Sequence, residues 1–236
     1  MWSKVSWNET NYTKLINELK FMVDDTYREF HLQIIPGCMN FLGVRMPQLR
    51  KLGKEIAKGD GRGFLTVAGH KYYEEIMLQG IVIGVMKSDI DTLLKDTADF
   101  VPLISNWALC DCFCGGLKGV KQHYDIVRGF LDPYLRSEQT YEVRFAVVLL
   151  MDHFTDAEHL SDLFSVYDEI SHTNYYVKMA VAWGVSTAFA KFPSETMTYL
   201  KHCKLPDWTY QKALQKILES RRVSQEDKEQ IRAMRL

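Results

Sequence analysis

The second half of the chain repeats one short phrase, and this repeat constrains the fold more than any other feature. The phrase reads V-R-F-A-V-V-L-L, then V-K-M-A-V-A-W-G, then Y-Q-K-A-L-Q-K-I. Its central residue returns at intervals of 34 and 33 positions, at Ala146, Ala180 and Ala213, and Gly80 lies two such periods earlier. Units of this length cannot bury their own apolar face and are typical of stacked helices. We therefore predict an all-α fold, an α-α superhelix of helical repeats with a concave binding face.

Helical patterns cover nearly the whole chain. Leu15, Leu19 and Met22 form an apolar stripe that predicts a first helix over residues 11–24. Prolines favour later helix starts at five positions, Pro47, Pro102, Pro133, Pro193 and Pro206. Capping boxes are indicated by three pairs, Thr155/Glu158, Ser88/Asp91 and Ser224/Asp227. Because no linker separates these patterns, we predict one helical-repeat domain over residues 1–236 with about a dozen helices.

One segment, residues 25–39, does not fit the helical pattern. It contains Y-R-E-F-H-L-Q-I-I-P, and Pro36 and Gly37 must end any helix that precedes them. Two interpretations stay open, a short irregular helix or an extended connection.

The near-neutral total charge hides a strongly uneven distribution. Formal net charge is −1 for 236 residues. Residues 45–71 hold seven Lys/Arg against two Asp/Glu, and residues 172–222 hold eight against three. Residues 152–171 hold six acids and no Lys or Arg. This distribution predicts a basic face and an acidic face, although each run could also be the solvated side of a helix.

Composition and the amino terminus indicate the compartment. Five cysteines in a chain with no secretion signal favour reduced thiols. No apolar run approaches the roughly 20 residues of a membrane span. We expect a cytoplasmic protein that does not enter a membrane and, by default, a monomer.

Four residues are the candidates for chemistry. Trp107 and Asp111 lie four positions apart and would share a helix face, where an indole ring and a carboxylate both stabilise a cation. Trp183 and Arg144 lie within the repeated phrase, so equivalent helices could bring all four together. Each also has an ordinary explanation, because tryptophan is often part of a core, a lone Asp often caps a helix and Arg is usually solvated.

Metal and cofactor chemistry are not indicated. Cys110, Cys112 and Cys114 have C-x-C-x-C spacing, which lacks the paired C-x-x-C of structural zinc sites. The chain has no phosphate-binding glycine loop and no dinucleotide fingerprint. We predict neither a metal nor an organic cofactor.

The chain resembles the AlkD-like family of DNA alkylation repair proteins, which are HEAT-like repeat superhelices. The resemblance lies in N-F-L-G-V-R-M-P-Q-L-R-K-L-G-K-E-I, N-W-A-L-C-D, V-R-F-A and V-K-M-A-V-A-W, in that order, over residues 11–220. It implies excision of purines that carry a positive charge after alkylation at N3 or N7, without base flipping, from double-stranded DNA.

The resemblance also implies roles for individual residues. Trp107 and Trp183 would pack against the deoxyribose of the lesion, and Asp111 would offset its developing charge and position water. Arg144 would hold a phosphate, as would Lys178 one repeat later. Further phosphate contacts would come from the first basic run, with Arg45, Arg50, Lys51 and Lys54.

Residues 25–39 depart from the family pattern, since the glycosylases have a regular amphipathic helix there that grips DNA. Relatives that are altered in this region resemble proteins that bind branched or distorted DNA and have no strong base-excision activity. Three hypotheses therefore remain: a glycosylase, a non-catalytic DNA-binding repeat protein, and a repeat protein that binds a peptide. The salt dependence of binding distinguishes the peptide-binding hypothesis from the other two, because added salt weakens binding through phosphate contacts and should barely affect an apolar peptide groove.

Overall fold

The structure is a computed structural model that describes residues 2–35, 37–38 and 40–235. These residues form helices and no strand, apart from one isolated antiparallel bridge between Val23 and Val44. The prediction of an all-α fold is confirmed. Within the same residues, no helix is both long enough and apolar enough to cross a bilayer.

The chain divides into two compact units, Met1–Gln122 and His123–Leu236. The first unit contains α1 (Glu9–Phe21), α2 (Asp25–Ile34), α3 (Met46–Lys58), α4 (Gly61–Val67), α5 (Tyr73–Val85), α6 (Ile90–Phe100) and α7 (Trp107–Gly116). Short 3-10 helices cover Trp2–Lys4, Val101–Leu103 and Lys118–Gln122.

The second unit contains seven further helices in the part of the chain that the structure describes. They are α8 (Tyr124–Leu135), α9 (Thr140–Phe154), α10 (Leu160–Glu169), α11 (Tyr175–Lys191), α12 (Pro193–Leu200), α13 (Asp207–Glu219) and α14 (Gln225–Ala233).

The repeated phrase marks the buried helices of each unit. In the first unit α5 packs between α3 and α7, and in the second unit α11 packs between α9 and α13. Ala146, Ala180 and Ala213 are fully buried on α9, α11 and α13. At Gly80 of α5, an added Cβ would lie 2.9 Å from the Phe100 ring. Small residues therefore recur every 33–34 positions at buried points where helices pack against one another.

The helix-start predictions have mixed outcomes. Pro47 lies in the first turn of α3, Pro193 begins α12, and Pro206 directly precedes α13, as predicted. Pro102 lies in a 3-10 helix that follows α6. The prediction for Pro133 is wrong, because this residue lies inside α8. Only two residues follow Pro133 in that helix, so its missing N–H removes one bond from the last turn.

Of the three predicted capping boxes, one is present in part: Ser224 caps its helix, while the Asp227 carboxylate accepts the Ser224 hydroxyl at 2.6 Å instead of a backbone N–H. The Ser224 hydroxyl accepts the backbone N–H of Asp227 at 3.1 Å and caps α14. Ser88 does not cap α6, because Asp89 accepts the N–H of Thr92 at 2.8 Å instead. Thr155 is the C-cap of α9 and starts no helix, and its hydroxyl donates to the carbonyl of Met151 at 2.6 Å. The first prediction was therefore one residue early at the correct helix start, and the second fell on the carboxyl end of the preceding helix.

Residues 25–34 form a regular ten-residue helix, so the prediction of a helix is confirmed over that of an extended connection, while the expected irregularity is not seen there. Asp24 caps α2 by accepting the N–H of Tyr27 at 2.9 Å. The helix ends at Ile34, where the sequence required an end before Pro36. His31 is its buried residue. Pro36 and Met39 lie outside the described residues.

Candidate nucleic-acid interface

A buried carboxylate fixes the backbone that leads into the basic helix α3. Glu74 of α5 is fully buried and accepts the backbone N–H groups of Leu42, Gly43 and Val44 at 2.8–3.1 Å. Burial raises the pKa of Glu74, and the three N–H donors act in the opposite direction. Gly43 has φ of +103°, and a Cβ there would lie 2.8 Å from the Arg28 Cβ. Glycine is therefore required at this turn.

Arg45 stands at the start of α3 and is held by two groups near α2. Its Nε donates to the Asp24 carboxylate at 2.8 Å, and its guanidinium carbon lies 5.1 Å from the centre of the Tyr27 ring. The Arg45 side chain is still 54% exposed. A guanidinium oriented by an anion and an aromatic ring is positioned for a phosphate at little further entropic cost.

The remaining basic residues of α3 lie opposite its packed face. The buried face of α3 presents Leu49, Leu52 and Ile56. The exposed residues include Arg50, Lys51 and Lys54. The predicted phosphate-binding residues of this run therefore share the solvent side of one helix.

Trp107 and Asp111 occupy the first two turns of α7, as their spacing predicted. The Asn106 side chain caps this helix by accepting the N–H groups of Ala108 and Leu109 at 3.1 and 3.0 Å. The Trp107 indole N–H donates to the carbonyl of Ile34 at 3.2 Å. Trp107 and Asp111 are both partly exposed. The hydrogen bond fixes the ring orientation of Trp107, one helical turn before Asp111.

Arg50 connects α3 with the region of Asp111. Burial raises the pKa of the Cys112 thiol, the Arg50 guanidinium opposes this rise through charge and a hydrogen bond, and the Asp111 charge adds to it. Arg50 and Asp111 therefore both act on one thiol of α7. Cys110 and Cys114 are buried on the same helix. Among the residues described, no three side chains of metal-binding type are grouped.

The second unit contains the other three predicted site residues. Arg144 of α9 is only 5% exposed, and its Nη1 donates to the carbonyl of Tyr176 at 2.7 Å. Lys178 of α11 is partly exposed, with its Nζ 4.6 Å from the centre of the Trp208 ring. Trp183 of α11 is partly exposed as well. Its convergence with Trp107 and Asp111 of the first unit stays a prediction.

Two acids that position this surface were missed at the sequence level. Besides Glu74, the neighbouring Glu75 accepts the backbone N–H of Tyr72 at 2.5 Å and the Tyr12 hydroxyl. Tyr12 in turn accepts the N–H of Gly69 at 2.7 Å. The signal was present in Y-Y-E-E-I-M-L, because two acids at the start of an apolar helix need buried partners.

This arrangement defines a helical-repeat protein with a basic helix beside an indole–carboxylate pair. The model of a protein family described as DNA alkylation repair enzyme matches residues 15–220. The chain belongs to this family, which confirms the resemblance to AlkD-like proteins. Its role is in the repair of DNA alkylation, and its partner is DNA. A search of curated proteins found no match.

Proposed function

We propose that the protein is a monofunctional DNA glycosylase that hydrolyses the N-glycosidic bond of cationic N3- and N7-alkylpurines in duplex DNA. The observation that carries the proposal is the pair on α7. Trp107 is oriented by its hydrogen bond to Ile34, and Asp111 lies one helical turn away with access to solvent. An aromatic face and a carboxylate together suit a deoxyribose that becomes positively charged.

The chemistry needs no cofactor, because the alkylated purine already carries a positive charge. When the C1′–N bond breaks, its electron pair leaves with the base, which departs neutral, and the sugar becomes oxocarbenium-like. Asp111 stabilises this charge and orients a water molecule, whose oxygen bonds to C1′. The water proton passes to the Asp111 carboxylate and then to solvent. The products are the free base and an abasic sugar.

Phosphate contacts hold the DNA while this reaction occurs. In the first unit, Arg45, Arg50, Lys51 and Lys54 present a basic side of α3. In the second unit, Arg144 and Lys178 take phosphates, and Trp183, a partly exposed indole, packs against a deoxyribose. Arg144 is 5% exposed, so it takes a phosphate when its guanidinium turns away from the Tyr176 carbonyl.

A second candidate function is DNA binding without excision, preferring branched or distorted DNA, and α2 is the observation that favours it. This helix exposes the apolar side chains of Phe30, Leu32 and Ile34. Its charged residues are Asp25, Arg28 and Glu29, and Arg28 pairs with Asp25 at 2.7 Å. A helix with this surface offers little to a phosphate, so the grip on duplex DNA depends on α3.

Single-turnover release of 7-methylguanine and 3-methyladenine from alkylated duplex tests the proposal. We expect release by wild type and a loss of about tenfold or more for Asp111→Asn, because a preorganised charge is removed from the transition state. Asp99→Asn is the matched control, since Asp99 is an exposed acid of α6 and should retain the wild-type rate. Wild type that binds duplex without releasing either base would support the second candidate instead.

A further inference from the structure

An aromatic residue recurs with the same period as the buried phrase. Tyr73, Trp107, Tyr141, Tyr175 and Trp208 follow one another at intervals of 34, 34, 34 and 33 residues. Each lies within the first two residues of its helix, in α5, α7, α9, α11 and α13. The ring is therefore a property of the repeat, although its environment differs from one repeat to the next.

In the second unit these rings form a series of contacts, in which Tyr176 lies between Tyr141 and Tyr175. The ring centres of Tyr141 and Tyr176 are 5.8 Å apart, those of Tyr176 and Tyr175 are 5.4 Å apart, and those of Tyr175 and Trp208 are 5.7 Å apart. Tyr73 is buried, whereas Tyr175 is 53% exposed and Trp208 is 38% exposed. Two adjoining rings at the end of this series therefore face solvent.

A cation follows the ring in each repeat of the second unit. Arg144 lies three residues after Tyr141, Lys178 three after Tyr175, and Lys212 four after Trp208. These spacings place ring and cation on one helix face. The Nζ atoms of Lys178 and Lys212 lie 4.6 and 5.8 Å from the centre of the Trp208 ring. Two lysines thus share one indole.

The positive charge at this end of the unit is concentrated. Lys212 donates to the Gln215 amide oxygen at 2.8 Å, a neutral partner. Burial lowers the pKa of the neighbouring Lys216, and the charges of Lys212 and Arg144 lower it further, while Glu219 opposes them. A cluster of cations that repel one another gains stability when an anion arrives.

We propose that Tyr175, Trp208, Lys178 and Lys212 form a stacking platform for an unpaired nucleotide of DNA. The base stacks on the exposed rings, and the lysines turn from the indole to the adjoining phosphate. Aromatic rings accept any base through its π face, which pairing and stacking conceal within a duplex. The inference rests on the proposed function in one respect, that the partner is DNA.

The test compares a blunt duplex with the same duplex extended by a short thymidine overhang, using anisotropy at fixed salt. We expect wild type to bind the overhang duplex more tightly by about fivefold to a hundredfold, because each stacked base contributes roughly 1–3 kcal/mol. Trp208→Ala should lose this preference, and Trp208→Phe should retain most of it. Phe21→Ala is the matched control, because Phe21 is a 91% exposed ring in the first unit.

Equal affinity of wild type for the two duplexes would overturn the inference, as would an undiminished preference in Trp208→Ala. Tyr175→Ala provides a second variant should Trp208→Ala fail to fold, which circular dichroism would reveal. The inference would also be overturned if an acidic peptide displaced the overhang duplex at a lower concentration than a thymidine oligonucleotide does. None of these measurements requires base release, so a protein that shows the overhang preference without excision would refute the glycosylase proposal alone.

Discussion

At the residue scale, the site depends on contacts that orient side chains already visible in the sequence. The four-residue spacing of Trp107 and Asp111 predicted a shared face, and α7 provides it. The hydrogen bond from Trp107 to Ile34 could not be predicted, because it joins residues 73 positions apart. The same holds for Arg45, whose partner Asp24 lies 21 positions earlier. Local spacing specifies helix faces, whereas long-range partners depend on packing.

Arg144 is the residue whose environment differs most from an ordinary surface arginine. If it contacts a phosphate, Arg144→Ala should lower the slope of log affinity against log salt by about one, equally across DNA sequences. The substitution also removes the donor to the Tyr176 carbonyl, so we expect a loss of about 1–3 kcal/mol in the free energy of unfolding.

The measurement for Arg144→Ala is duplex affinity over a salt series, at a temperature where circular dichroism shows the variant folded. Arg136→Ala serves as a control for a lost positive charge, because Arg136 is an exposed arginine of the same unit. An unchanged salt slope with lower stability would make Arg144 a purely structural residue.

At the element scale, the position of α7 depends on its close approach to α5. Gly84 of α5 faces Gly116 of α7, and an added Cβ would lie 2.9 Å from the Gly116 carbonyl oxygen. The atoms that the added methyl group would meet belong to the backbone of α7, which cannot move aside as the end of a flexible side chain can. Gly84→Ala should therefore destabilise the protein by about 1–3 kcal/mol and reduce base release, since α7 carries Trp107 and Asp111.

Gly129→Ala is the matched control for Gly84→Ala. Gly129 is a helical glycine of α8, and an added Cβ meets nothing within 4 Å. Alanine there should raise the free energy of unfolding by about 0.4–1 kcal/mol, because it lowers the conformational entropy of the unfolded chain. Urea denaturation of the two variants checks both values, and equal effects would contradict the proposed close packing.

The elements themselves were largely predictable, and their ends were less so. The phrase with Ala146, Ala180 and Ala213 identified three buried helices, because close packing requires small residues at a fixed interval. The wrong predictions of helix caps at Ser88 and Thr155 show that helix ends are harder to predict from sequence than the helices themselves. Several polar residues near each helix end can accept an N–H, and tertiary packing selects one.

At the scale of the whole molecule, charge distribution matters more than total charge. A protein with a net charge of −1 would be expected to bind DNA poorly. The run from Arg45 to Lys71 nevertheless places exposed cations on α3. We expect duplex affinity to fall steeply with salt and the slope to decrease by about one for each of Lys51→Ala and Lys54→Ala.

A titration of duplex affinity against salt measures this dependence, with Lys87→Ala as a control at an exposed lysine outside the basic run. A flat salt profile would indicate the third hypothesis, a peptide bound through apolar contacts. The charge pattern was predictable from sequence. The convergence of Trp107 with Trp183 stays a prediction, because the two residues belong to different compact units.

The clamp made by Glu74 has a consequence for how this surface can evolve. The carboxylate accepts hydrogen bonds from the backbone N–H groups of Leu42, Gly43 and Val44. Every residue type except proline has this backbone N–H group. Any replacement of Leu42 other than proline therefore leaves its amide available to the carboxylate, whereas an apolar residue in place of Glu74 leaves all three amides without this acceptor. The loop can therefore change at Leu42, whereas its fold depends on Gly43 and on the acid of α5.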